Sequence, residues 1–267
     1  GATVLPDKHD DVDFFAIGGS GTCWVSEGSL DCEGFFSDDS RVTPNDGPWE
    51  LNEVPLDPFD IAVSSEQACA VGPEPGPPVC WGSASRPLDE LAGETWVQVE
   101  LSGPYGCART ERGRAACWGP DEVTLDEGGD EDGAALDIKL GPSGLACVLR
   151  DGTESAYLDC RNLSTGEDAP APSTYGDEPF DFLVGDGFAC VIGEADNDGR
   201  ADVDRTNTCE FDTDPGVYSA AVADIPTDLA LTSLDAGQFH GCGLLANGKV
   251  ACWGRGRTDS HSPLFPP

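Results

Sequence analysis

Residues 194–204 read Glu194-Ala195-Asp196-Asn197-Asp198-Gly199-Arg200-Ala201-Asp202-Val203-Asp204, a run dense in hard oxygen donors. Counted from Glu194, side-chain oxygens fall at positions one, three, five and nine, with Gly199 at six. That spacing lets a short loop wrap a calcium ion, because the carboxylates converge, the glycine permits the sharp turn and the carbonyl at seven adds a donor. The expected ligands are Glu194, Asp196, Asp198, Asp202 and Asp204 with the carbonyl of Arg200. Position twelve departs from the pattern, since Arg205 stands where an acid is usual, although Asp204 is adjacent. Carboxylates packed this densely repel one another unless a cation neutralises them. The alternative is a solvated acidic turn, which is also how the shorter run Asp130-Glu131-Asp132-Gly133 reads.

The second chemistry is sulfur. All twelve cysteines fall into close pairs: Cys23/Cys32, Cys69/Cys80, Cys107/Cys117, Cys147/Cys160, Cys190/Cys209 and Cys242/Cys252. Each pair brackets an X-Gly step: Glu27-Gly28, Pro75-Gly76, Arg112-Gly113, Asp151-Gly152, Asp198-Gly199 and Asn247-Gly248. Glycine supplies the positive φ that tight hairpins need. Facing positions of an antiparallel hairpin lie within disulfide reach. Twelve cysteines allow on the order of ten thousand pairings, and the repeat selects one of them. Each bridge closes a short loop worth roughly 2–3 kcal/mol in the chain-entropy model. Zinc or iron–sulfur ligation is the competing reading, but the chain has no Cys-x-x-Cys and only three histidines. Disulfides imply an oxidising compartment.

Catalytic chemistry has little to work with. His9 and His261 lie in terminal segments, and His240 sits beside a Cys strand, where a packing role is expected. There is no Gly-x-Ser-x-Gly, His-Glu-x-x-His or phosphate loop. Fifty acidic residues could supply paired carboxylates anywhere, so such pairs carry no information about glycosidase chemistry. Trp81, Trp118 and Trp253 recur at one repeat position and read as packing residues, whereas Trp49 and Trp96 fall outside it and are candidate interface residues. Asn162-Leu163-Ser164 is a glycosylation sequon, relevant in a eukaryotic secretory pathway. A net charge of −36 with three lysines excludes a nucleic-acid surface and adhesion to anionic membranes. It fits solubility in a salty or calcium-rich medium, or a cationic partner.

The elements that position these groups repeat about every forty to fifty residues, the mark of a propeller or solenoid. Ahead of each first Cys lies a short apolar segment, as in Val97-Gln98-Val99-Glu100-Leu101 and Phe180-Asp181-Phe182-Leu183-Val184, whose alternation reads as a half-buried strand. A small or turn-forming residue follows: Gly18, Ser64, Ser102, Pro142, Gly185 or Gly237. The fourth unit is one residue out of step, which predicts a bulge there. No run of about twenty apolar residues exists, so no transmembrane helix is expected. Methionine is absent throughout, and the expectation is a mature chain from which a targeting segment has been removed.

The last unit, Gln238-Phe239-His240-Gly241-Cys242-Gly243-Leu244-Leu245-Ala246-Asn247-Gly248-Lys249-Val250-Ala251-Cys252-Trp253-Gly254, resembles a regulator-of-chromosome-condensation-type repeat, in the cysteine-bearing form of secreted bacterial proteins. The third unit matches well and the others loosely, but the Cys frame carries all six. The resemblance implies an all-β chain, a β-propeller with four-stranded antiparallel blades. The family's ring usually has seven blades; six are expected here, with a seven-bladed or incomplete ring as the alternative. The whole chain is expected to be one propeller domain, with units of roughly 11–57, 58–95, 96–134, 135–178, 179–229 and 230–267, and residues 1–10 completing the last blade. Because of the charge, the chromatin role and nucleotide-exchange activity of the eukaryotic relative are not carried over. The loop at 194–204 is similar to the aspartate-rich calcium repeats of dockerin and thrombospondin type. The expected function is a non-enzymatic, extracytoplasmic binding or assembly module with a protein partner or self-assembly, no nucleic acid and no membrane insertion. The alternatives are an inhibitor of an extracellular enzyme, by analogy with the β-lactamase-inhibitor propeller of the same repeat family, a surface-layer or filament component, and a carboxylate hydrolase.

Overall fold

The structure, a computed structural model, describes residues 12–19, 21–26, 29–34, 58–82, 88–120, 123–126, 133–152, 156–172, 179–193, 207–211, 231–236, 240–245 and 248–254. Among these residues the chain forms twenty strands and one single-turn 3-10 helix at Asp89–Leu91. The first sheet holds β1 (Val12–Ile17), β2 (Gly21–Ser26) and β3 (Ser29–Gly34); the second holds β4 (Asp60–Val63), β5 (Gln67–Val71) and β6 (Val79–Gly82). The third has four strands, β7 (Trp96–Ser102), β8 (Tyr105–Thr110), β9 (Ala115–Trp118) and β10 (Val123–Asp126). So does the fourth, with β11 (Ala134–Leu140), β12 (Leu145–Asp151), β13 (Tyr157–Asn162) and β14 (Glu167–Ala169). The fifth contains β15 (Pro179–Val184), β16 (Phe188–Gly193) and β17 (Asn207–Phe211); the sixth contains β18 (Leu231–Ala236), β19 (His240–Leu245) and β20 (Val250–Gly254). Within every sheet the strands lie in chain order, as hairpin-joined meanders do. Packing divides the chain into two compact units, one centred on the first three sheets and one on the last three. Residues 1–10, expected to complete the last blade, lie outside the described residues.

Each cysteine pair bonds across its own hairpin, with Cα atoms 4.0–4.1 Å apart, and no cysteine is left over. Cys23 faces Cys32, Cys69 faces Cys80, Cys147 faces Cys160, Cys190 faces Cys209 and Cys242 faces Cys252 in the strand register. In the third sheet Cys107 on β8 bonds Cys117 on β9, with Cα atoms 4.0 Å apart. In three of the bridges the two ends are not equally covered. Cys69, Cys107 and Cys190 are buried, whereas their partners Cys80, Cys117 and Cys209 are only half-buried.

The residue before the first Cys is small where the opposite strand carries tryptophan. Ala68 faces Trp81 and Gly241 faces Trp253. A Cβ on Gly106 would lie 2.3 Å from the Trp118 ring, and one on Gly241 would lie 2.8 Å from Trp253. No side chain fits in either gap.

A bulge recurs at one position. In the first, third, fourth, fifth and sixth sheets the pairing of the first two strands slips between Val12/Phe14, Trp96/Gln98, Ala135/Asp137, Pro179/Asp181 and Leu231/Ser233. The fourth unit is therefore not distinguished by a bulge, as its spacing predicts. Its extra residue sits instead in the β11–β12 turn, where the Gly141 amide donates to the Leu145 carbonyl, a span of four. The corresponding turns close from Gly18 to Gly21, Ser64 to Gln67 and Gly185 to Phe188, each a span of three. A uniform insertion leaves repeat spacing unchanged, so only the turn registers as a change of phase.

Within each unit the core lies between consecutive sheets, and the disulfide face of one sheet is its floor. Ile61 and Val63 of β4 pack on Cys23, Val25 and Cys32 of the first sheet. Val99 and Trp96 of β7 join Cys69 and Val71 of the second. In the other unit, Phe182 and Val184 of β15 pack with Cys147, Leu149, Leu158 and Cys160 of the fourth sheet. Burying a Phe, Val or Ile side chain in this way contributes about 1.5–3 kcal/mol.

Candidate functional site

The expected calcium loop, with Glu194, Asp196, Asp198, Arg200, Asp202 and Asp204, lies outside the described residues, as do Trp49, His9 and His261. The described residues contain no group of three or more His, Cys, Asp or Glu side chains arranged to hold a metal ion. Trp96, the other candidate interface residue, is only 1% exposed. Its indole Nε1 donates to the Leu91 carbonyl at 3.1 Å, at the end of the 3-10 turn. That turn folds the connecting segment back over the ring, so Trp96 belongs to the core and presents nothing to a partner.

Several of the polar groups that the structure organises join sheets, and a set of them lies near the start of each sheet's first strand. A bulge breaks the ladder and leaves the following backbone amide without a strand partner. Asp137 and Asp181 meet this need locally, since Oδ1 of each accepts from the next residue's amide, Ile138 or Phe182, at 2.9 and 2.8 Å. Asp60 does the same for Ile61 at 2.9 Å. The third sheet has Gln98 at this place, and Gln98 Oε1 is taken by Arg109 Nε at 2.8 Å. The Val99 amide donates instead to Asp60 Oδ2 of the preceding sheet, at 2.9 Å. One carboxylate thus caps an amide at the start of β4, which pairs without a slip, and a bulge-region amide on β7 of the next sheet.

The second unit uses a cation for the same join. Lys139 Nζ on β11 donates to Asp181 Oδ1 at 2.8 Å and to the Phe182 carbonyl at 2.6 Å. It also lies 5.1 Å from the Phe182 ring centroid, within cation–π range. The turns are tied together as well. Ser64 Oγ donates to the Gly103 carbonyl at 2.9 Å, and Gln67 Nε2 donates to the carbonyls of Gly103 and Tyr105, both at 3.3 Å. In the second unit, the Gly187 amide donates to Ser143 Oγ at 3.0 Å. These groups hold strands or neighbouring sheets together. The sequence signal for the Asp set is its distance from the first Cys: nine residues for Asp60 and Asp181, ten for Asp137.

Asn162 of the sequon closes a local turn, its Oδ1 accepting from the Ser164 amide and hydroxyl at 3.0 and 2.6 Å.

Comparison with known proteins bears on this repeat of sheets. Residues 231–257 match the model of the regulator of chromosome condensation (RCC1) repeat. The CRINKLY WD40 ectodomain of the Arabidopsis thaliana receptor kinase ACR4 is similar in fold, with TM-score 0.62 and 16% identity over 94% of this chain and 83% of that one. Prp20p of Saccharomyces cerevisiae, whose structure was described with its binding to Gsp1p and histones, gives 0.55 and 14% over 91% and 72%. YCF48 bound to D1 peptide gives 0.50 and 14% over 95% and 82%. At these identities the likeness speaks to fold alone. The meandering sheets and the propeller neighbours together show a β-propeller fold, and one stretch of the chain, residues 231–257, is similar to the RCC1 repeat.

Proposed function

We propose that the chain is an extracytoplasmic, non-enzymatic protein-binding or assembly module. The observation that carries this reading is the set of six disulfides, one per hairpin, on a propeller scaffold. Such bridges persist in oxidising compartments and are rare where thiols are kept reduced. No helix among the described residues is long and apolar enough to cross a membrane. Binding to protein or peptide, as in the Prp20p and YCF48 structures, is the use of the fold that this reading extends to the present chain. Among the described residues, Asp60, Lys139 and Asp181 are committed to joining sheets.

Calcium belongs to the same proposal. An ion held by Asp196, Asp198 and Asp202, the Arg200 carbonyl, and Glu194 or Asp204 would neutralise the densest acidic run in the fifth hairpin. The test of the function uses secreted, oxidised protein immobilised for biosensor measurement against purified surface and secreted proteins of its source. Saturable binding that disappears after reduction of the disulfides supports the module. Hydrolysis of glycoside or ester substrates by the same preparation, with no saturable protein binding, would overturn it.

A further inference from the structure

Most cations among the described residues are drawn into the fold, while many carboxylates face solvent. Arg150 is only 4% exposed, its Nε donating to Asp159 Oδ2 at 3.1 Å and its Nη1 to the Gly133 carbonyl at 3.5 Å. Arg109 is half-buried and donates to Gln98 Oε1. Arg161 is half-buried too, with Nε and Nη2 on the Gly166 carbonyl at 3.2 and 2.8 Å. Lys139 is held by Asp181 and the Phe182 carbonyl. Among the described residues the exposed cations are Arg112 and Lys249. Exposed carboxylates, by contrast, stand on every sheet or hairpin loop from the second to the sixth, at Glu74, Glu111, Glu167, Glu210 and Asp235 in turn. The solvent-facing charge is thus mostly of one sign, in keeping with a net charge of −36. Repulsion of this kind acts on the weakest links. Two strands of each sheet are tied by a disulfide, whereas successive sheets of a unit are joined by apolar contacts and by single polar links such as Val99 to Asp60 and Gly187 to Ser143. Packed sheets lie about 10 Å apart. The Debye length is about 30 Å at 0.01 M salt, about 10 Å at 0.1 M and about 3 Å at 1 M. Carboxylates on neighbouring sheets therefore repel with little screening in dilute buffer and hardly at all in molar salt.

We propose that the joins between successive sheets of a unit are an ionic-strength switch, closed when salt screens the carboxylates and loosened in dilute solution, with each disulfide hairpin intact in both states. This goes beyond the reading of the chain as a binding or assembly module and does not rest on it. Net charge far from zero works against a compact state through self-repulsion. Here the covalent bridges confine that effect to the non-covalent joins. A hydrated monovalent cation is enough to close the switch, because these carboxylates are dispersed over successive sheets rather than gathered round one ion.

The experiment is amide hydrogen exchange and thermal melting of the oxidised full chain across sodium chloride from about 0.01 M to about 1 M, the range over which the Debye length shrinks tenfold. It is repeated with choline chloride at matched ionic strength, with chelator present throughout. The Val99 and Gly187 amides report the joins, and the amides of β12 and β13 report a disulfide hairpin. On passing from high to low salt, exchange at Val99 and Gly187 is expected to quicken at least tenfold while β12 and β13 stay protected. The melting temperature is expected to fall by roughly 10 °C or more. The two salts act alike. The variant Glu74→Gln/Glu111→Gln/Glu167→Gln/Asp168→Asn removes four exposed charges, none of which makes the reporting links. It is expected to be better protected than wild type at low salt and to match it at high salt, which also shows that it folds. Exchange at the joins that ignores salt, loss of the hairpin amides together with the joins, sodium succeeding where choline fails, or a variant no better protected than wild type at low salt would each overturn the proposal.

Discussion

Asp60→Ala removes a carboxylate that serves amides on two sheets, and the cost can be worked from its contacts. Two backbone donors lose their acceptor, the Ile61 amide and the Val99 amide, each at 2.9 Å. Both residues are buried, so water does not replace the carboxylate. Hydrogen bonds to a charged acceptor contribute about 1.5–3 kcal/mol each, and a partly exposed carboxylate belongs at the lower end, giving about 3–4 kcal/mol for the pair. For a chain of this size that lowers the melting temperature by roughly 6–16 °C. Asp60→Asn keeps one carbonyl oxygen and costs about half as much, because its amide nitrogen then faces a donor. The sharper test adds Gln98→Asp, which gives Val99 the local acceptor that Asp137 and Asp181 provide elsewhere. With Asp60 present, the added carboxylate is a like-charged neighbour and destabilises; with Asp60→Ala it restores stability, so the coupling energy in the cycle is favourable. Calorimetry gives the stabilities, and amide hydrogen exchange at Val99 reports the contact itself. If Asp60→Ala stays within about 0.5 kcal/mol of wild type and Val99 remains protected, the bulge-capping account is wrong.

Deleting the Cys190–Cys209 bridge, with a sequence separation of 19, is expected to cost more than deleting Cys23–Cys32, with a separation of 9. The chain-entropy model gives about 3.2 against about 2.6 kcal/mol, measurable by urea denaturation of the double-alanine variants. Gly106→Ala forces a methyl into the Trp118 ring and should destabilise by about 1–3 kcal/mol, with a change in tryptophan fluorescence that Gly103→Ala, facing open space, does not produce through contact. Calcium is expected to raise the melting temperature with the logarithm of its free concentration, and Asp198→Ala to abolish that rise; a wild-type melt unchanged by chelator would remove the ion from the account.

What the sequence makes legible depends on whether a feature changes spacing or residue type. The cysteine pairs are readable because a covalent bond demands facing positions, and a hairpin with a glycine turn provides them. The unequal cover of their two ends is not readable, since Cys107 and Cys117 are the same residue type and only packing separates them. The bulge is hidden because it is inserted in five sheets at one place, and a shared insertion leaves no irregularity to notice. The irregularity that is visible belongs to the Gly141–Leu145 turn. Asp60 and Asp181 are obscured by abundance, since among fifty acids neither stands out by type, and only their shared distance to a cysteine marks them. Trp96 misleads for a different reason. Its departure from the recurring tryptophan position suggests exposure, but a 3-10 turn distant in pattern supplies both cover and a hydrogen-bond acceptor.

The placement of the disulfides has a mechanical consequence. Every bridge lies inside one sheet, and the joins described between sheets of one unit are apolar contacts, hydrogen bonds and the Lys139–Asp181 ion pair, none of them covalent. A chain pulled from its two ends would therefore part between sheets while each hairpin stayed closed. Residues between bonded cysteines, 9 to 19 per bridge in sequence separation, are withheld from extension, roughly a quarter of the contour length in all. Under tension the molecule would lengthen in short steps as a string of intact hairpins, and on release each would already hold its strand register, with only the joins to remake.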